Sequence, residues 1–242
     1  MLSNLGIKKS RLALGMISVL ALAACGSDND SPSSDVEPTP TPTVTSVYQV
    51  TVTNLTNAQP FSPVAVILHS EDKLWEIGSP ASEELEYVSE GGDNNFVLGL
   101  PFVEVGESGV GLILPGASES IEIAIDDNDS ALISVATMLV NTNDAFTGLN
   151  AVSLAGLEVG ESMSFRAGTY DSGTEANSEA AGTMPGPADP GGEGFNALRD
   201  DVDFVSMHPG IVSQQDGLST SVLTKQHGFD NPTAKISISR VE

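Results

Sequence analysis

Three stretches of this chain alternate apolar and polar residues with a period of two, which fits a strand with one face buried and the other in water. Ser120-Ile121-Glu122-Ile123-Ala124-Ile125 alternates at every position. Tyr48-Gln49-Val50-Thr51-Val52-Thr53-Asn54 does so with β-branched residues, and residues 234–241 close the chain in the same way. Residues 64–68 are a short continuous apolar run, as a central strand requires, and 131–140 and 162–166 read as further strands. Asp126-Asp127-Asn128-Asp129 supplies a turn. One helix is predicted, with Ser79 as N-cap, Pro80 in the first turn, Ala81, Leu85 and Val88 on one face, and Gly91-Gly92 as its stop. Short strands separated by Gly, Pro, Asn and Asp predict an all-β fold, an antiparallel β-sandwich with one short helix. Residues 182–202, rich in Gly, Pro and acid, read as a long surface loop.

The N-terminus carries Lys8, Lys9 and Arg11, then an apolar run from 12 to 22, then Leu22-Ala23-Ala24-Cys25. A basic head, a short apolar stretch and small residues are the order of a secretory signal peptide. The apolar run is about half the roughly 20 residues that span a bilayer. Ending on a cysteine, the segment resembles the lipobox of bacterial lipoproteins. That resemblance implies cleavage before Cys25 and acylation of its sulfur and amine, a multiply acylated anchor that holds a protein stably. Cys25 is the only cysteine, so its lipidation would leave neither a disulfide nor a thiol nucleophile. Gly26 follows it; an aspartate there would favour the inner membrane, so the outer membrane of the bacterial cell envelope is the expected location.

Three segments follow: a signal peptide over 1–24, a tether over 25–46, and one domain over 47–242. The tether carries Pro38-Thr39-Pro40-Thr41-Pro42-Thr43 and almost nothing apolar to bury. In polyproline II geometry, at about 3.1 Å per residue, it would reach roughly 60 Å from the lipid. Cleavage would remove three of nine basic residues and no acid, making the net charge of −24 still more negative. So acidic a surface repels nucleic acid and anionic membranes, and no nucleic-acid partner is expected. It is also a surface that attracts divalent cations.

Two loops concentrate the chemistry. One is Asn141-Thr142-Asn143-Asp144 after the strand at 131–140, and the other is Tyr170-Asp171-Ser172-Gly173-Thr174-Glu175 after that at 162–168. If residues 149–157 form the return strand of a meander, both loops lie at one end of the sheet and Asp144, Asp171 and Glu175 converge. Three carboxylates on loops, with a glycine for close backbone approach, suit Ca²⁺, which takes six to eight oxygens. Asp126–Asp129 lacks the later glycine and glutamate of an EF-hand, and Asp200-Asp201-Val202-Asp203 reads as a solvated charge run. His69, His208 and His227 lack helical metal-ligand spacing; His69 reads as a core or rim residue and Trp75 as packing under the helix. Met207-His208-Pro209-Gly210-Ile211 is distinctive in composition and suggests no chemistry of its own. Ser172-Gly173 lacks a Gly-x-Ser-x-Gly elbow, so a non-enzymatic role is expected.

Several segments resemble the spondin N-terminal domain: Val50-Thr51-Val52-Thr53-Asn54-Leu55-Thr56 with Gln59-Pro60-Phe61-Ser62-Pro63, then Met138 through Leu149, then Tyr170 through Glu175, then Asn231 through Ile238. The resemblance covers roughly 47–241 in order. It implies a sandwich related to calcium-dependent phospholipid-binding domains, with Ca²⁺ held at one rim by Asp144, Asp171 and Glu175. Glu175 stands where the animal motif has Asp, and Ala145 replaces a tryptophan. The expected function is a lipid-anchored calcium-binding module for an unidentified protein or glycan at the cell surface. The alternatives are a hydrolase of extracellular polymers and a structural envelope protein whose ion only holds two loops.

Overall fold

The computed structural model of the chain describes residues 44–126 and 131–242. The signal-like segment, Cys25, most of the tether, and Asp127 to Asp129 of the expected turn lie outside them.

The alternating stretches all enter one four-stranded antiparallel sheet. Its order is β4 (Ser118–Asp126), β1 (Thr45–Asn54), β10 (Ala234–Arg240), β7 (Ser162–Ala167). Val50 lies opposite both Ile121 and Ile238, so the apolar positions of three strands share one face. The opposite face is polar, and hydroxyls pair across it: Thr51 with Ser120, Thr53 with Ser118, Ser164 with Ser237. Strand β1 takes in Thr45 and Ser46, the last residues of the expected tether.

A six-stranded sheet packs on the apolar face. Its order is β3 (Val103–Ser108), β2 (Ala65–His69), β5 (Leu132–Met138), β6 (Ala145–Ser153), β8 (Thr169–Asp171), β9 (Ser206–Met207). Val66, Leu68, Ile133, Val135 and Leu149 meet Val50, Val52, Ile121, Ile123, Ile236 and Ile238 in the core between the sheets. Ala65, Ile67, Ala136 and Phe146 point the other way, into a second apolar layer with Leu85, Val88, Trp75 and Val97. Buried on both sides, β2 has no polar face, hence its unbroken apolar run. Trp75 lies edge-on to Phe146 at 5.1 Å and tilted against Tyr170 at 5.2 Å, within the layer that α1 covers. His69 is fully buried, with Nδ1 at the Glu71 carbonyl and Nε2 at the Ser134 hydroxyl.

The covering helix, α1, runs Glu83–Gly91, and a single turn, α2, runs Asn95–Leu98. The N-cap of α1 is Ser82 rather than Ser79: the Ser82 side chain accepts from the Leu85 N–H at 3.2 Å. Ser79 is taken by a preceding turn, its N–H donating to Glu76 and its carbonyl accepting from Val205. Glu83, Glu84 and Glu86 in the first turn favour the helix dipole, and Gly92, at φ 66°, ends the helix as expected.

Two departures at the rim matter for function. The return strand after β5 starts at Ala145 instead of 149, and it pairs with β8, while β7 crosses to the other sheet. Residues 182–202 are not wholly a surface loop. Met184 and Asp189 are buried, and the Asp189 carboxylate accepts from the N–H groups of Gly182 and Thr183. Gly186 lies so close to the Val140 carbonyl that a Cβ would collide with it.

Candidate metal centre

Asp144 is the last residue before β6, and Asp171 is the last of β8, paired directly with Ala145. Antiparallel pairing of β6 with β8 therefore sets the two carboxylates side by side at one rim. After Asp171 the chain folds over Asp144. The turn depends on Gly173, whose φ of 71° suits glycine and whose missing Cβ leaves room for the Phe204 backbone. The Gly173 N–H donates to Asp171 Oδ1 at 2.8 Å, and its carbonyl accepts from the Asp203 N–H at 2.7 Å.

The two oxygens of Asp144 have different surroundings. Oδ2 accepts from the Ser172 hydroxyl (2.9 Å) and the N–H groups of Thr174 (3.0 Å) and Glu175 (3.2 Å). Ser172 is in turn fixed by the Ser89 hydroxyl of α1. Oδ1 is just as buried, and among the described residues it has no hydrogen-bond partner. A buried carboxylate oxygen with nothing to balance it is costly. Burial pushes the Asp144 carboxyl up to about 7, and the Asp171 charge adds to it, against the pull of the hydrogen bonds from Ser172, Glu175 and Thr174.

His208 completes the group. β9 pairs Met207 with Tyr170, so His208 falls opposite Thr169, its N–H donating to the Thr169 carbonyl at 3.0 Å, and its ring reaches back toward Asp171, with Nε2 4.0 Å from Oδ2. Asp144, Asp171 and His208 each offer a ligand atom, and these atoms lie within 4.8 Å of one another, so this cluster can hold a metal ion. The hydrogen bonds of the ring define its tautomer. Nδ1 accepts from the Gly210 N–H at 2.9 Å, so the proton sits on Nε2, which donates to Asn177 Oδ1 at 3.0 Å. Asn177 then donates to Asp171 Oδ2 at 2.7 Å. Burial pushes the His208 pKa down, against the pull of Asp171, leaving the ring neutral.

Two of the three acids expected at the rim are thus brought together, and the third stands apart. Glu175 lies outside the group, with Oε1 accepting from Asn143 Nδ2 at 3.0 Å. Burial pushes its carboxyl up to about 8, opposed by the Asn143 bond and reinforced by the charges of Glu90, Asp144 and Glu193. Sequence reasoning missed His208 and Asn177. The only signal for His208 was the unusual Met207-His208-Pro209-Gly210-Ile211 segment, because a two-residue strand is too short to show a period. The acids at 200, 201 and 203 form no such cluster among the described residues: Asp200 accepts from the Ala176 N–H, and Asp203 pairs with Arg199 at 2.8 Å.

No protein-family model matches this chain, and no curated protein matches it.

Proposed function

We propose that the protein is a lipid-anchored, extracytoplasmic β-sandwich whose rim is ordered by Ca²⁺, and that it acts as a binding module at the bacterial cell surface. One observation carries the choice of ion: the unpartnered, fully buried Oδ1 of Asp144, beside the carboxylate of Asp171. A cation there balances two acids that repel one another. The tautomer of His208 selects its type. To ligate a metal, Nε2 would have to give its proton to Nδ1, which would then face the Gly210 N–H, donor against donor. A soft or borderline metal that wants imidazole nitrogen is disfavoured, and His208 serves to hold Asn177 and through it Asp171. What remains is an all-oxygen site, the preference of Ca²⁺.

The resemblance to the spondin N-terminal domain supports the same reading, as do the acidic surface and the basic-apolar-cysteine order of the N-terminus. No helix among the described residues is long and apolar enough to cross a membrane. The anchor is assigned to Cys25 and the outward reach to the tether. Asp144, Asp171 and His208 are all buried, which suits an ion that orders the rim better than groups that meet a polymer substrate.

Isothermal titration of the purified protein tests the ion. Saturable Ca²⁺ binding that Asp171→Asn abolishes, with Zn²⁺ weaker than Ca²⁺, is the expected result. Preferred Zn²⁺ binding that His208→Gln abolishes would overturn the oxygen-only reading.

A further inference from the structure

The chain has 33 acids, and only six basic residues lie in its described part. Two of those six stand side by side. The register of the four-stranded sheet sets Arg166 of β7 directly opposite Lys235 of β10, and both are exposed on its polar face. Residues so placed have Cβ atoms about 5 Å apart, and like charges there repel. Among the described residues neither forms an ion pair or a side-chain hydrogen bond. Arg199, Lys225 and Arg240, by contrast, are engaged with Glu86 and Asp203, with Asp216, and with the Ser46 hydroxyl. Thr53 and Ser118 continue the cross-strand row of the basic pair. The next row, Ser120, Thr51, Ser237 and Ser164, is hydroxyl throughout. Within the strands of this sheet the nearest acid on the face is Glu122, one row further on. From strand spacing and rise it lies roughly 16 Å from Lys235, about two Debye lengths at physiological salt.

We propose that this face binds an anionic glycan, with a carboxylate or sulfate of one sugar held between Arg166 and Lys235 and the adjoining sugars on the hydroxyl rows. A guanidinium offers parallel N–H groups to such an anion, and the ammonium adds a point charge. An anion there replaces one repulsion with two attractions. The two rows hold no apolar side chain, so they suit a partner rich in hydroxyls better than a peptide that needs an apolar anchor. The acidity of the rest of the chain repels a nucleic acid, whose phosphates extend well past the pair. The inference rests on the proposed binding module for its setting at a cell surface, and it shares no residue with the metal centre.

Isothermal titration of the purified protein in chelator tests it, with oligogalacturonate and dextran sulfate as acidic probes and dextran as the neutral one. Saturable binding of an acidic probe and none of dextran is expected; the probe that binds tells carboxylate from sulfate. Replacing both bases, Arg166→Gln with Lys235→Gln, is expected to weaken binding by about tenfold or more. Lys225→Gln, which removes an exposed cation paired elsewhere, is expected to leave it unchanged. Trp75 fluorescence checks the fold, and each single variant serves should the double one fail to fold. Binding of neither acidic probe, or binding that the double variant keeps, would overturn the site. Binding that needs Ca²⁺ and survives the double substitution would also overturn it, while leaving the calcium-ordered module standing. Binding in chelator that the double variant loses, in a protein with no Ca²⁺ response, would support the face and overturn the ion.

Discussion

Asp144 carries two opposed demands in one side chain. Three protein donors fix Oδ2, while Oδ1 is buried and, among the described residues, unpartnered, with the Asp171 carboxylate in the same cluster. Its carboxyl, near 7, and that of Glu175, near 8, lie far above the roughly 4 of an unfolded chain. Between those values the folded state binds more protons than the unfolded one, so metal-free stability falls with rising pH. The stabilisation is complete below about pH 4 and is lost as pH climbs through 7 to 8. Urea midpoints measured with chelator from pH 5 to 9 are expected to fall, and saturating Ca²⁺ is expected to lessen that fall by keeping Asp144 ionised. Asp144→Asn keeps an acceptor for the loop and removes the charge. At pH 8 without metal it is expected to be more stable than the wild type by roughly 1–3 kcal/mol, and to gain nothing from Ca²⁺. A midpoint that rises with pH in chelator would contradict this view of the site.

The loop after β8 and helix α1 are the elements that make two acids into a site. Gly173 lets the loop fold back over Asp144, and a side chain there would strain a positive φ and strike the Phe204 backbone. Gly173→Ala is expected to cost roughly 1–3 kcal/mol of stability and to weaken Ca²⁺ binding, measured by denaturation and titration of the same sample. Unchanged affinity would show that the loop does not shape the site. The elements also differ in how far their residues announced them. Strands β1, β4 and β10 have one wet face, so Ser118–Asp126 reads as a strand from alternation alone. β6 is buried over its first five residues on both faces, and Gly148 passes tight against the Val135 carbonyl, so Ala145-Phe146-Thr147-Gly148 shows no period. Its true start decides that Asp144 abuts the pairing with β8, which spacing alone did not show. Asp144 and Asp171 were legible because loop acids at one sheet end converge. The direction of Glu175, turned to Asn143, is a matter of contacts and leaves no trace in spacing.

For the molecule as a whole, β1 runs from Thr45 to Asn54, about ten residues at roughly 3.3 Å each. The acidic rim lies at the far end of that strand: the Asn54 side chain donates to the Gln59 carbonyl, and Gln59 bonds to Asn141 of the rim loop. Cys25→Ser is expected to move the protein from the membrane fraction to the soluble fraction in cell fractionation. Membrane association unchanged by that substitution would contradict the lipid anchor. At a free Ca²⁺ concentration about 100 times the dissociation constant, binding to the folded state alone adds ~2.7 kcal/mol, or roughly 5–11 °C in a domain of this size.

Thermal unfolding of the purified protein at pH 8, first with chelator and then across a Ca²⁺ titration, beside Asp171→Asn, reads that increment directly. A saturable rise in midpoint of this order, poorly reproduced by Mg²⁺ and absent in the variant, is expected. An unchanged midpoint in the wild type at millimolar Ca²⁺ would contradict a calcium-ordered rim.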